Sequence, residues 1–324
     1  MKAVDNHDLA ELIKRLERRR QKKQAATTIV AALGLIGFRM MMVPILGHRP
    51  ATLSVATSQT PVKSPVDAYA GVSLIGHAAI VYDLSTGKTL YEKNAQAELP
   101  LASLTKLLTT YAAVTALDAN SPVTISDTAL AQEGDSGLSA GETFAFKDIA
   151  RLALVASSND AAAAIAEAAA KRQSTSGEQL LASAATAAGL ATTHAVNGTG
   201  LDVNETVSGG YGSASDVAKL AGEILKKAPA IARATIEPSV TVTDYEGNVH
   251  TLPNTNQDIV RIPDPLLSKT GFTDLAGGNL VVVYDAGINH PIAVVVLGST
   301  RDGRFSDVEK LVARTLTHFG ENAP

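Results

Sequence analysis

Hydrophobic and polar positions divide the chain into four stretches. Leu9, Leu12, Ile13 and Leu16 recur at helical spacing after Asp8, with Glu11 three residues on. That pattern predicts a short amphipathic helix opened by a capping box. Residues 26–47, "ATTIVAALGLIGFRMMMVPILG", are apolar apart from Arg39 and two threonines. About 20 such residues span the hydrocarbon core of a bilayer. Residues 48–70 are rich in Ser, Thr and Pro without a sustained period and read as a semi-extended linker. From Gly71 to about Gly320 the apolar positions return in regular periods, which is enough chain for one large domain.

Within that domain "HAAIVYDLSTGKTLYEKN" reads as two strands joined by a turn at Ser85-Thr86-Gly87. Helical periods follow over 103–117, 147–170, 178–189 and 215–227, then short strands around 239–252. "NLVVVYD" (279–285) and "PIAVVVLGST" (291–300) are apolar β runs, and "DVEKLVARTLTHF" closes the chain as an amphipathic helix. Strands, a helical block, strands and a final helix predict an α+β body with a helical subdomain inserted between its first and last strands.

Charge sharpens the reading of the N-terminus. The whole chain is −4, but its first 49 residues carry ten Lys/Arg against four acids, so the remainder is −10. An acidic body is a poor nucleic-acid binder, because phosphate contacts need clustered cations. The basic "KRLERRRQKK" beside an apolar segment instead predicts a cytoplasmic N-terminus and a single-pass signal-anchor at 26–47. Residues 1–25 then rest on the cytoplasmic membrane face, and 71–320 lie outside the cell membrane. Arg39 opposes this by about 2.5–3.5 kcal/mol at mid-span, relieved by snorkelling towards the outer face. A cleaved signal peptide is the alternative, with the small residues at 54–56 as its processing site. The chain has no cysteine, which excludes disulfides, thiolate metal sites and cysteine nucleophiles.

The candidate chemistry sits in three short motifs. "LASLTKLLTTYAAV" (101–114) holds Ser103 and Lys106 at the start of a helical period. A lone SxxK arises by chance roughly once in a chain this long, and on its own reads equally as a capped helix with a solvated lysine. "LVASSNDAAAAIAE" adds Ser157 and Asn159, and "LLSKTGFTDLAGGNL" adds Lys269, Thr270 and Gly271 at a β run. The ordered set is far rarer than its parts. Positions i and i+3 share a helix face, so Lys106 can stand beside the Ser103 hydroxyl. Serine needs an adjacent base, and lysine serves once burial and a second cation such as Lys269 lower its pKa. Ser157 can relay a proton and Asn159 can bind a substrate amide. The Lys-Thr-Gly strand offers a cation and a hydroxyl for a carboxylate, an edge for an extended substrate, and at Gly271 room for close approach. Backbone N–H groups at the helix start and on that strand can form an oxyanion hole. His77, His194, His250 and His290 show no zinc-ligand spacing, and no nucleotide fingerprint occurs, so no metal or cofactor is expected.

With these motifs in order, the chain resembles the serine D-Ala-D-Ala carboxypeptidases, the low-molecular-mass penicillin-binding proteins related to class A β-lactamases. The resemblance covers nearly all of 71–320 and includes "NGTGLD", "ASDVAKLA" and "LGSTRDGRF". It implies an antiparallel sheet flanked by helices, with the site at the junction with a helical subdomain. It also implies Ser103 as acylated nucleophile, Lys106 as base, and Ser157 and Asn159 as the second motif. Lys269, Thr270 and Gly271 become the third motif, the amides of Ser103 and Phe272 the oxyanion hole, and Arg304 a holder of the substrate's terminal carboxylate. Partners implied are peptidoglycan stem peptides and β-lactams. Ser158 and Phe272 depart from the glycine and histidine common in relatives, and "IPDPLLSKTG" lacks their glycine-rich approach. The extra C-terminal β domain and membrane helix of many relatives have no counterpart, so the N-terminal segment is expected to replace that anchor. The implied activity is removal of the terminal D-alanine from stem peptides. Alternatives are a DD-endopeptidase or β-lactamase of the same fold, the latter disfavoured because no ExxLN segment follows the second motif. A low-turnover, membrane-tethered muropeptide- or penicillin-binding protein is the alternative from another class.

Overall fold

The computed structural model describes residues 67–134, 136–287 and 289–321. The segments read as basic helix, membrane anchor and most of the linker lie outside them. Among the described residues no helix is long and apolar enough to cross a membrane. Packing already begins at Ala68 and Tyr69, both buried, where linker was expected. Tyr69 stacks on Tyr91 at 5.3 Å and shares a 2.9 Å hydrogen bond with Thr315, so its ring is held from two sides.

The chain opens with a hairpin, β1 (Ala78–Asp83) and β2 (Lys88–Lys93). Asp83 holds its turn by accepting from the backbone N–H groups of Ser85 and Thr86 and from the Thr86 hydroxyl. A short β3 (Leu99–Pro100) leads into a 3-10 turn, Ala102–Leu104, and then α1 (Thr105–Ala116). The pair β4 (Pro122–Thr124) and β5 (Thr143–Ala145) brackets α2 (Asp127–Leu130). The helices α3 (Phe146–Val155), α4 (Asn159–Gln173) and α5 (Gly177–Ala187) complete the inserted block. Two small strands, β6 (His194–Ala195) and β7 (Gly210–Gly212), join β3 in a second sheet.

Helices α6 (Ala214–Lys227) and α7 (Pro229–Ala234) then return the chain to the main sheet. A hairpin, β8 (Ser239–Thr243) with β9 (Val249–Pro253), precedes the three long strands β10 (Pro265–Thr273), β11 (Gly277–Asp285) and β12 (Pro291–Ser299). The last helix is α8 (Gly303–Glu321). The main sheet is antiparallel with order β10-β11-β12-β1-β2, so the first hairpin lies beside the last strand and everything between is an insertion. The α+β architecture expected from the element order is the observed one.

Strict alternation along the central strands gives the sheet two apolar faces. Ile80, Val281, Val283, Val295 and Leu297 meet the inserted helices. Val81, Val282, Tyr284, Val294 and Val296 meet α8 through Val308, Leu311 and Val312. Both faces being covered explains why β11 and β12 read as continuous apolar runs. The helical period over 147–170 resolves into two helices, not one. Ser157 takes a left-handed φ of 60°, and the Ser158 hydroxyl caps α4 by accepting from the Ala161 N–H. An alanine-rich stretch without Gly or Pro hides such a break, because only the short polar side chains signal it.

Candidate active site

Three elements converge where the sheet edge meets the inserted helices: the start of α1, the α3–α4 junction and β10. Lys106, on the first turn of α1, has 0% exposure, so the solvated-lysine reading of the SxxK motif fails. Nor does Ser103 cap the helix, since α1 begins without a side-chain cap. Instead the Lys106 amine lies 2.8 Å from Ser103 Oγ and donates to Asn159 Oδ1 (2.6 Å) and the Thr199 carbonyl (2.8 Å). Burial pushes the Lys106 pKa down to about 7, partly offset by the nearby Asp160 carboxylate. At that value about half of the protein holds the amine in its uncharged state at neutral pH.

That state fixes the direction of its hydrogen bonds. A neutral amine has two N–H groups and one lone pair. Asn159 Oδ1 and the Thr199 carbonyl can only accept, so they occupy both N–H groups. The lone pair is left for the third neighbour, and Ser103 is the one that carries a proton to give. The contacts thus place a base against a hydroxyl, the arrangement a weak nucleophile needs.

Lys269, 1% exposed, lies on the opposite wall. It donates to Ser157 Oγ and to the Thr270 carbonyl, each at 2.8 Å. Burial first, then the charges of Lys106 and Arg304, hold its pKa well below the ordinary lysine value. A second cation was expected to help depress Lys106; burial is the main cause there, and the repulsion between the two amines falls on Lys269. Lys106 and Lys269 lie beneath half-buried Ser103, Ser157 and Asn159, so polar tips face the cleft and desolvated amines back them.

β10 is an edge strand, and Gly271 is where it passes the serine turn. A Cβ there would meet the Leu101 carbonyl oxygen at 2.9 Å and the Ala102 Cβ at 3.3 Å. Arg304, from the first turn of α8, donates through Nη1 to the Gly271 carbonyl at 2.6 Å. Burial lowers its pKa to about 10, which still leaves it cationic at neutral pH. Its Nε is buried without a partner among the described residues. The guanidinium of Arg301 covers the Phe272 ring at 3.9 Å, an exposed cation–π contact at the end of the same strand. Thr270 donates to Thr255 Oγ1 (2.7 Å), and the Thr255 N–H donates to the Val155 carbonyl (3.1 Å), which fastens β10 to α3.

The structure brings together all nine residues singled out in the sequence. It also adds several that sequence reasoning did not assign. The Thr199 carbonyl completes the Lys106 set, yet a main-chain acceptor has no side-chain signature. Asn159 Nδ2 donates to the Glu133 carbonyl (2.6 Å), which orients that amide with its oxygen towards Lys106. Ala102 and Ser157 hold positive φ of 49° and 60°, so two strained non-glycine residues flank the cleft. Asn254 and Asn256 are buried structural donors to the Thr235 and Glu237 carbonyls and to Ser268 Oγ. In a separate concavity of about 690 Å³ between α1, β4 and α4, Ser126 caps α2 by accepting from the Ala129 N–H and donates its hydroxyl to Glu167.

With this geometry in place, the chain was compared with known proteins. The family model described as D-alanyl-D-alanine carboxypeptidase matches residues 65–301. The D-alanyl-D-alanine carboxypeptidase DacF of Bacillus subtilis is 32% identical over 75% of this chain and 62% of its own length, so the chain spans less than two thirds of that relative. The D-alanyl-D-alanine endopeptidase of Pseudomonas aeruginosa is 31% identical over 80% of this chain and 84% of its own. Among solved structures, penicillin-binding protein D2 from Listeria monocytogenes in a cefotaxime-bound form superposes with a TM-score of 0.63 at 27% identity. That match covers 75% of this chain and 98% of the other.

Proposed function

Because the chain belongs to the D-alanyl-D-alanine carboxypeptidase family, we propose that it removes the terminal D-alanine from peptidoglycan stem peptides through an acyl-enzyme on Ser103. The observation that carries this reading is the buried Lys106 amine, whose two N–H groups are taken by pure acceptors while its remaining neighbour is Ser103. In the proposed reaction neutral Lys106 takes the Ser103 proton as Oγ attacks the carbonyl of the D-Ala–D-Ala bond. The backbone N–H groups of Ser103 and Phe272 receive the oxyanion. As the tetrahedral adduct collapses, the C–N bond breaks and the leaving amine takes the proton that Lys106 received, relayed through Ser157, which Lys269 holds at 2.8 Å. Water, deprotonated by the again neutral Lys106, then cleaves the ester, and Lys106 returns the proton to Ser103.

Asn159 binds the substrate amide with its second Nδ2–H, and the edge of β10 at Gly271 pairs with the extended stem. Lys269, Thr270 and Arg304 select the terminal carboxylate. For Thr270 this requires the hydroxyl to rotate away from Thr255. β-Lactams acylate the same serine, a reading supported by the cefotaxime-bound form of the Listeria monocytogenes protein. The apolar segment 26–47 and its basic flank support a membrane-anchored enzyme with the site outside the cytoplasmic membrane, and a reporter fused to the C-terminus tests that topology.

Full-length protein incubated with a fluorescent penicillin should carry one covalent adduct at Ser103, and Ser103→Ala should carry none while remaining folded. Labelling that survives the substitution removes the mechanism. A second reading, cleavage of cross-links, draws support from the endopeptidase relative matched over 84% of its length. Masses of products from a pentapeptide muropeptide and a cross-linked dimer separate the two.

A further inference from the structure

The Lys106 set depends on the Thr199 carbonyl, which belongs to no motif with a chemical role. We propose that Asn197 is a positioning residue for the Lys106 amine: its side-chain amide winds residues 197–201 into the turn that aims the Thr199 carbonyl at Nζ. Asn197 Oδ1 accepts from the Thr199 N–H (3.2 Å), the Thr199 hydroxyl (3.0 Å) and the Gly200 N–H (2.8 Å). Asn197 Nδ2 donates onward to the Leu201 carbonyl (3.0 Å), and the Leu201 N–H donates back to Thr199 Oγ1 (3.1 Å). Every one of these bonds occupies a neighbour of the Thr199 carbonyl and leaves that carbonyl itself free for Lys106.

The turn is pressed against α1 on the side where Lys106 emerges. Thr109, one turn beyond Lys106, donates to the Gly198 carbonyl at 2.7 Å. Gly200 has a φ of +79°, and a Cβ on it would overlap the Ala102 carbonyl, so only glycine lets the turn seat there. At its far end Asp202 accepts from Thr273 Oγ1 (3.0 Å) and the Leu275 N–H (3.2 Å), which ties the turn to the end of β10. The loop therefore bridges the two walls of the cleft, and Asn197 sets its shape. Without the Thr199 acceptor the neutral amine gains a rotation that takes its lone pair off Ser103.

This inference rests on Ser103 and Lys106 acting as proposed, and its test separates the two. The charged groups beside Lys106 are Asp160 from α4, which raises its pKa, and, across the cleft, Lys269 from β10, on which the repulsion between the two amines falls. Removing a carbonyl acceptor weakens the protonated amine most, so Asn197→Ala should move the acidic limb of Ser103 acylation to lower pH. Asn197→Asp keeps the acceptor oxygen for Thr199 and Gly200 but adds a negative charge, so its limb should move to higher pH.

The experiment is acylation of full-length protein by a fluorescent penicillin across pH 5–9, with pentapeptide turnover alongside. Asn197→Ala should acylate about 10–100-fold more slowly with KM for pentapeptide changed less than about threefold. Asn197→Asp should recover part of the rate with its limb displaced the opposite way. A residue that merely held the loop would lower the fraction of active protein without moving either limb, and two unmoved limbs overturn the inference. Should Asn197→Ala fail to fold, Asn197→Ser, which adds no charge and cannot span the same contacts, takes its place with the same expected shift of the limb to lower pH. Failure of the wild type to form a Ser103 adduct would overturn the proposed reaction, and the inference with it, before any variant is read.

Discussion

The two sides of the main sheet bury polar groups on opposite terms. Under α8, Asp307 is wholly buried, and its carboxylate accepts from the Ile75 and Gly76 N–H groups, the Ser299 hydroxyl and Lys310. Its acceptor capacity is filled, and it pins the entry to β1 onto α8. Across the sheet, two lysines are buried whose hydrogen bonds go to hydroxyl, amide and carbonyl oxygens, their pKa values are pushed down, and left-handed Ala102 and Ser157 stand beside them. One side satisfies its charge and is a source of stability. The other holds amines that would be more stable protonated in water, and that unfavourable burial weakens their hold on a proton, so that Lys106 can be uncharged at neutral pH as the proposed base for Ser103 must be.

Substitutions should separate the two sides by which readout they move. The largest effect is expected from Lys106→Met, which keeps the buried volume but removes the base: Ser103 acylation should fall by about 10²–10⁴-fold, measured by fluorescent penicillin. Arg304→Ala should slow turnover of pentapeptide by about 10–100-fold, for loss of roughly 1.5–3 kcal/mol of charged hydrogen bonding. An amidated pentapeptide offers no carboxylate, so it should be handled equally poorly by wild type and variant. Equal slowing on both substrates would reduce Arg304 to a support for the Gly271 carbonyl.

On the α8 side the signs reverse. Asp307→Asn should lower unfolding stability by about 1.5–3 kcal/mol in denaturant titration, since hydrogen bonds to a charged acceptor are replaced by weaker ones. Acylation at a permissive temperature should stay within about twofold of wild type, because Asp307 bonds Ile75, Gly76, Ser299 and Lys310 and none of the candidate site residues. The smallest effect is a control on strain. Ser174 ends α4 with a left-handed φ of 53°, away from the cleft, and Ser174→Gly should raise stability by up to about 1 kcal/mol with acylation unchanged. If acylation also changes, strain at Ala102 and Ser157 loses its special association with the site.

How much of this was legible beforehand follows the same division. The β11 and β12 runs and the α8 period announced the covered sheet, because apolar alternation and helical spacing are written in side chains. Seven of the nine candidate site residues were legible through their three motifs, SxxK at a helix start, SxN beside a helix and Lys-Thr-Gly on a strand, whereas Phe272 and Arg304 came only from the resemblance to the family. Hidden were the features made by backbone. The Thr199 carbonyl, the left-handed Ser157 that splits α3 from α4, and the Glu133 carbonyl that orients Asn159 depend on tertiary contacts across 26 to 93 residues of chain. "NGTGLD" stood out as a segment, yet its use as an acceptor for Lys106 could be seen only once α1 and the turn were side by side.

The most direct test of the central claim, that burial turns Lys106 into the base for Ser103, is the pH dependence of Ser103 acylation in the full-length protein. The amine must be neutral to accept the serine proton, so the rate should rise with pH through a limb at about 7, the depressed value of Lys106. A rate that stays flat from pH 5 to 9, or a limb near the ordinary lysine value of 10.5, would contradict it.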